Sequence, residues 1–132
     1  MGVLQHKKTN WFWALPVFLL LAGCAVTSSA GNKMLRSNAF QKQMQQPGIV
    51  LLDVRTPEEY AAGHLPNAVL YDFNAGAFQQ ALPTLDSNKT YLLYCRSAKR
   101  SDKAASLMKA AGFKQVLQLK NGIQGWKGEV IQ

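Results

Sequence analysis

"YLLYCRSAKRS", Tyr91 to Ser101, decides how the rest of the chain is read. An apolar, aromatic run with strand character ends at Cys95, and Arg96, Lys99 and Arg100 crowd the next five positions. A helical pattern follows. The stretch therefore reads as a buried strand, a tight loop and a helix start. A strand without period-2 alternation is what a parallel sheet covered on both faces gives. In such sheets ligands bind beyond the carboxyl ends of the strands, and Cys95 is placed at such an end. Two readings are open. Cys95 is either a small inert core residue beside a solvated helix, or a nucleophile. A free thiol titrates near ~8.5, and helix N-termini and neighbouring cations lower that by about 1 to 5 units. The helix after the loop offers free backbone N–H groups and a partial positive charge. A tight loop can turn successive N–H groups inward as an anion nest. The charge crowding and the strand-end position favour the nucleophile.

The flanks supply the fold class. "IVLLDV", "AVLYDF" and "QVLQL" read as further short strands. "SNAFQKQMQQPG" predicts a helix capped by Ser37 or Asn38, with Ala39, Phe40 and Met44 on one face and Pro47-Gly48 as its stop. "TPEEYAAGH" predicts a helix with Thr56 as N-cap, Pro57 at its first position and Glu58 and Glu59 as first-turn charges. "NAGAFQQALPTL" reads as a short helix stopped before Pro83. "SAKRSDKAASLMKAAGF" predicts the strongest helix, with Ala104, Leu107, Met108 and Ala111 as its apolar stripe. "NGIQGWKGEV" closes the chain as a turn or short helix. Strands alternating with helices indicate an α/β domain.

The 132 residues are one domain's worth, and two cysteines exclude a disulfide-rich framework. The net charge of +8 is unevenly placed. From residue 95 onward there are eight Lys/Arg against only Asp102 and Glu129, whereas residues 24–94 balance five against five. That field favours an anionic substrate or a solvated basic face. The basic residues are spread singly without interleaved aromatics, so no nucleic-acid partner is expected.

"MGVLQHKKTN" carries two lysines and no acid, and "WFWALPVFLLLAG" adds thirteen uncharged residues. That is short of the ~20 needed for a spanning helix, and it has the layout of an export signal. "LAGC", residues 21–24, resembles the lipobox of bacterial lipoproteins. The resemblance implies a signal peptide over residues 1–23, cleavage before Cys24 and a lipid on its thiol. Cleavage by an ordinary signal peptidase is the competing reading. Residues 24–33 then read as a flexible tether. Ala25 in place of Asp leans toward the outer membrane. A lipidated Cys24 leaves Cys95 as a lone thiol on the periplasmic side of the envelope. A dithiol oxidoreductase would need a second cysteine.

"CRSAKRS" resembles the active-site loop of rhodanese-type sulfurtransferases. "LDVRTPEEYAAGHLPNAV", residues 52–69, is similar to the upstream signature of that family, and "LKNGIQGW", residues 119–126, to its closing element. The likeness covers about residues 34–130 and implies a three-layer fold over residues 34–132. Its centre would be a mostly parallel sheet of four to five strands flanked by helices. It implies Cys95 as the catalytic nucleophile, with Arg96, Ser97, Ala98, Lys99, Arg100 and Ser101 as the substrate-binding loop. Arg96 and Arg100 would bind a dianionic donor such as thiosulfate, and Ser97 and Ser101 would support the persulfide. The acceptor would be cyanide or a thiol, with no cofactor, no metal and a monomeric protein. Related phosphatases and arsenate reductases separate cysteine and arginine by five residues; here four lie between Cys95 and Arg100, which favours sulfur chemistry. A non-enzymatic module that carries sulfur or binds a partner is the other alternative. Asp53 and Arg55 are expected as a buried pair, His64 as a structural hydrogen-bonder and Trp126 as a core lid. Ala98 and Asn121 stand where glycine is frequent, so Ala98 would be strained if its backbone needs φ > 0.

Overall fold

The computed structural model describes Gly2 and residues 32–132. Apart from Gly2, the expected signal peptide, with Cys24 and nearly all of the expected tether, lies outside them. Five strands form one sheet: β1 (Lys33–Leu35), β2 (Ile49–Asp53), β3 (Val69–Leu70), β4 (Thr90–Tyr94) and β5 (Gln115–Leu119). Their order across the sheet is β1-β5-β4-β2-β3, and every pair is parallel. Four helices connect them: α1 (Ser37–Met44), α2 (Pro57–Ala62), α3 (Ala77–Ala81) and α4 (Lys99–Ala110). Two 3-10 turns, Leu82–Thr84 and Gly122–Gly125, complete the chain.

The sheet is apolar on both faces, and this explains the unbroken strand runs. Tyr91, Leu93 and Cys95 enter one core with Ala104, Ala105 and Met108 of α4 and Phe78 of α3. The alternating Leu92 and Tyr94 enter the other with Phe40 of α1 and Leu119. Period 2 is present, but both phases are buried, so it leaves no polar alternation to read.

Several local expectations shift. The α4 stripe has the expected spacing and a different phase: Ser101, Ala104, Ala105 and Met108 are buried, while Leu107 is 39% exposed and Ala111 faces outward. The helix is turned so that its first turn meets the end of β4, which places Ser101 rather than Ala111 inside. Arg36, not Ser37 or Asn38, is the N-cap residue of α1. The Ser37 hydroxyl is occupied by the Lys127 amide at 3.0 Å. The predicted strand "AVLYDF" contracts to Val69–Leu70, because Asp72 turns the chain by accepting from the Asn74 and Ala75 amides. The edge strand β1 has too few residues to announce itself and is held by pairing with β5.

Candidate active site

Cys95 is the residue immediately after β4, the central strand. It is almost wholly buried, with 1% exposure, and it is a free thiol. The Ser101 amide donates to its sulfur at 3.5 Å, and the thiol donates to the Ser101 hydroxyl at 3.7 Å. That hydroxyl in turn donates to the Ala98 carbonyl at 3.1 Å. Ser101 therefore sits at the sulfur. Ser97 is exposed and touches no described polar partner.

The loop from Arg96 to Ala98 is shaped by two constraints. The first is internal. Ala98 takes the left-handed conformation, φ 75° and ψ −9°, and is the N-cap residue of α4. This is the strained backbone anticipated for a non-glycine residue there, costing about 1–2 kcal/mol. It turns the chain sharply into the helix, and Asp102 N–H closes the first turn on the Ala98 carbonyl at 2.9 Å. The second constraint comes from the far end of the chain. Ile123 N–H donates to the Cys95 carbonyl at 2.8 Å, and Gln124 N–H to the Arg96 carbonyl at 3.2 Å. The Cys95 and Arg96 carbonyls are thus held by the Gly122–Gly125 turn. Its amides from Arg96 to Arg100 make no hydrogen bond among the described residues. Free successive N–H groups beside a helix start suit an anion.

Gly122 makes this clasp possible. It has φ 61°, and a side chain there would overlap the Arg96 carbonyl and the Cys95 carbonyl oxygen. The preceding Asn121 is left-handed too, at φ 66°, a conformation asparagine tolerates.

The basic side chains separate into two groups. Arg96 and Lys99 are exposed. Arg100 is part-buried and bound in a bidentate pair to Glu59, at 2.6 and 2.8 Å. Arg100, expected to bind the dianionic donor, is thus engaged by Glu59 and also lies near the Cys95 sulfur. Glu59 is a first-turn charge of α2 as read from the sequence, and the pair with Arg100 adds a second role. Glu59 reaches back to the Thr56 amide at 3.0 Å while the Thr56 hydroxyl accepts from the Glu59 amide, a full capping box. Glu59 thus links the start of α2 to the start of α4. The Arg100 hydrogen bond holds the Glu59 carboxyl down at about 2, against a desolvation cost that works the other way. The same pair, with the Cys95 sulfur adding to it, raises the pKa of Arg100.

Asp53 and Arg55 form the expected buried pair, with Arg55 Nη2 at 2.6 Å and Nε at 2.9 Å from the carboxylate. Arg55 also donates to the Gly63 carbonyl at 2.8 Å and lies over the Tyr94 ring at 5.4 Å. Burial works against the Arg55 charge, but the Asp53 carboxylate outweighs it and the pKa is raised. The pair sets the end of β2 beside the end of β4. Burial pushes the Tyr94 hydroxyl far up, so it stays a neutral acceptor for the Leu65 amide at 3.1 Å. His64 is structural: Nδ1–H donates to the Tyr60 carbonyl at 3.0 Å, and its ring stacks on Tyr60. Its backbone forms an antiparallel bridge with Ile131. Trp126 packs edge-on against Phe40, in the core on the sheet face opposite Cys95.

Glu59 and Gly122 shape the surroundings of Cys95, a part that sequence reasoning did not give them. Thr56-x-x-Glu59 carries a capping-box signal, and Asn121-Gly122 a turn signal. Nothing local announces that either reaches the Cys95 loop.

Comparisons with known proteins place this geometry in context. Residues 37–129 match the family described as "Rhodanese-like domain". Among curated relatives, the "Putative sulfurtransferase YtwF" of Bacillus subtilis is 37% identical over 81 residues, covering 61% of this chain and 76% of that one. The "tRNA uridine(34) hydroxylase" of Buchnera aphidicola is 27% identical, covering 92% of this chain and 42% of its own. The chain spans about half the length of most of the curated relatives it matches. Among solved structures, a rhodanese-like domain protein of Staphylococcus aureus superposes with TM-score 0.65 at 26% identity, over 74% of this chain and 93% of that one. A rhodanese-related protein of Thermoplasma volcanium gives 0.66 at 20% identity, over 75% and 97%. The five-stranded parallel sheet flanked by helices is the fold of these neighbours.

Proposed function

We propose, from the premise that this chain belongs to the rhodanese-like domain family, that it is a sulfurtransferase cycling through a Cys95 persulfide. The observation that carries this reading is the Cys95 cradle. The Cys95 thiol sits at the carboxyl end of the central strand, beneath a loop whose amides are unpartnered and whose Arg96 and Ala98 carbonyls are tied off elsewhere. A donor of the thiosulfate class fits the charge of that loop. The Cys95 thiolate attacks the outer sulfur, the sulfur–sulfur bond of the donor breaks, and sulfite leaves with the bonding electron pair. The acceptor then attacks the outer sulfur of the persulfide, forming thiocyanate from cyanide or a new persulfide from a thiol. The Cys95 thiolate is regenerated, as in covalent two-step catalysis. Arg96 and Lys99, exposed at the mouth, attract the donor. Arg100, fixed by Glu59, holds positive charge beside the sulfur. Burial of Cys95 keeps the persulfide from bulky thiols and admits small anions.

Export and lipid attachment at Cys24 are proposed on the "LAGC" stretch and the apolar segment before it. Incorporation of labelled palmitate that disappears in Cys24→Ser is the expected outcome.

Intact mass tests the chemistry. The chain gains one sulfur after thiosulfate and loses it after cyanide, with thiocyanate released, and Cys95→Ser gains none. An unchanged mass in folded protein with a free Cys95 thiol would overturn the thiosulfate reading. It would leave a sulfur-carrying module, the activity in the printed name of the "Putative sulfur carrier protein YrkF" of Bacillus subtilis, 34% identical over 89 residues.

A further inference from the structure

A cavity of about 560 Å³ opens beside α1 at the carboxyl edge of the sheet, and Cys95 does not line it. Arg36 directly follows β1 and Lys120 directly follows β5; the two strands run parallel, so both cations stand at that edge. Lys127, just past the Gly122–Gly125 turn, joins them on the wall. Hydrogen bonds fix the three segments to one another. Lys120 N–H donates to the Leu35 carbonyl at 2.8 Å, and Lys127 N–H to the Ser37 hydroxyl at 3.0 Å. All three cations are exposed, and no carboxylate lines the cavity. Among the described residues none of the three has an ion-pair partner. Like charges gathered in a concave wall without a counter-charge focus a positive field. Asn38, Gln41 and Asn121 add amide groups that can donate to phosphate oxygens and bond hydroxyls.

The way the chain is attached selects the anion. The expected tether joins the domain at β1, whose last residue, Leu35, directly precedes Arg36. Residues 24–32 extend to at most roughly 30 Å, and β1 covers only about 10 Å. The bilayer that holds Cys24 is therefore within reach of the cavity. A tethered contact is intramolecular, so a modest attraction is enough to orient the domain. Each Lys or Arg near an anionic bilayer favours the docked state by a factor of about five, and three together by about 100. Pockets of ~300–1,000 Å³ take organic molecules rather than a bare ion, which suits a phosphodiester with its glycerol arms. We infer that the cavity seats an anionic phospholipid headgroup and turns the carboxyl edge of the sheet toward the membrane. This rests on the proposed lipid attachment at Cys24 and names the face that the anchor presents to the bilayer.

The test is lysine footprinting of the full chain reconstituted in vesicles, with acetic anhydride as the probe and peptide mass as the readout. Vesicles of phosphatidylcholine alone are compared with vesicles containing phosphatidylglycerol. Acetylation of Lys120 and Lys127 should slow about tenfold or more in the anionic vesicles, a fraction of the 100-fold preference. Lys89 and Lys114 precede β4 and β5 at the opposite edge and should react equally in both. In Arg36→Glu/Lys127→Glu, Lys120 should regain its reactivity while Lys89 and Lys114 keep theirs, which also shows that the variant is folded. Raising the salt to ~1 M, where charges are screened beyond about 3 Å, should release Lys120 and Lys127 in the unmodified sequence. Equal reactivity in the two vesicles, protection that survives the double variant, or protection that resists salt would overturn the docking. Full protection by soluble glycerol 3-phosphate in phosphatidylcholine vesicles would overturn it too, by assigning the cavity to a free phosphate. If peptide mass finds no lipid on Cys24, the anchoring reading fails. The contrast between the two vesicles still decides the cavity, because it reads these side chains and not the mode of attachment.

Discussion

Replacing Glu59 by glutamine tests whether the Cys95 loop is held from a distance. Glutamine keeps the size of the side chain and its reach to the Thr56 amide, but removes the charge that pairs with Arg100. The Glu59 carboxyl is lowered from 4.5 to about 2, chiefly by the Arg100 hydrogen bond. At ~1.4 kcal/mol per pH unit, that displacement sets a ceiling of about 3 kcal/mol. The side chains of the pair are 19% and 27% exposed, so water screens part of it. About 1–2 kcal/mol of stability is a realistic share for the pair. The sign follows from the lowered pKa. The contribution is complete above the unfolded value of 4.5 and is lost as pH falls toward 2. The assay is urea unfolding of wild type and Glu59→Gln at pH 7 and through the range from 5 to 2. The variant should be less stable at pH 7 by about 1–2 kcal/mol, with the gap closing as the pH drops. Sulfur transfer from thiosulfate at pH 7 should fall by about 10- to 100-fold, because a loosened Arg100 no longer presents a fixed charge to the reacting sulfur. Equal stability at pH 7 together with a constant gap down to pH 2 would refute the reasoning, since the pair would then contribute nothing that titrates.

Three other perturbations follow from the same geometry. Ala98→Gly removes the left-handed cost and, after the greater unfolded-state freedom of glycine, should raise stability by about 0.5–1 kcal/mol in thermal or urea unfolding; a loss would mean that the loop is not strained at φ 75°. Gly122→Ala forces a side chain against the Arg96 carbonyl, so it should destabilise by about 2 kcal/mol or more and reduce sulfur loading of Cys95, as read by intact mass. Gln118→Met removes a buried carbonyl oxygen that has no hydrogen-bond partner in the described structure and gives up one weak 3.3 Å bond to Asp102; unfolding should show a gain of about 1 kcal/mol.

Most strands, the main helices and the place of Cys95 at a strand end were legible because each depends on local chemistry. Val, Ile, Leu and Tyr runs bounded by turn residues make buried strands. Thr56 and Pro57 start a helix wherever they are placed before a helical run. Asp53 and Arg55 were readable as a pair because two opposite charges, two residues apart in an apolar stretch, can only be buried together. The three-residue β1 was not legible and β3 was read too long, since strands that short are made by their partners and not by their own composition.

What the sequence by itself determined is the parallel α/β order, the thiol at a strand end and the positive field around it. The tertiary structure alone decided who shapes that thiol's surroundings. Glu59 lies 41 positions before Arg100, and Gly122 lies 26 after Arg96. It also decided the rotation of α4, which buries Ser101 and exposes Leu107. Sequence periodicity reports only that a face exists. Which face turns inward, and which distant backbone reaches a loop, follow from packing the strands side by side.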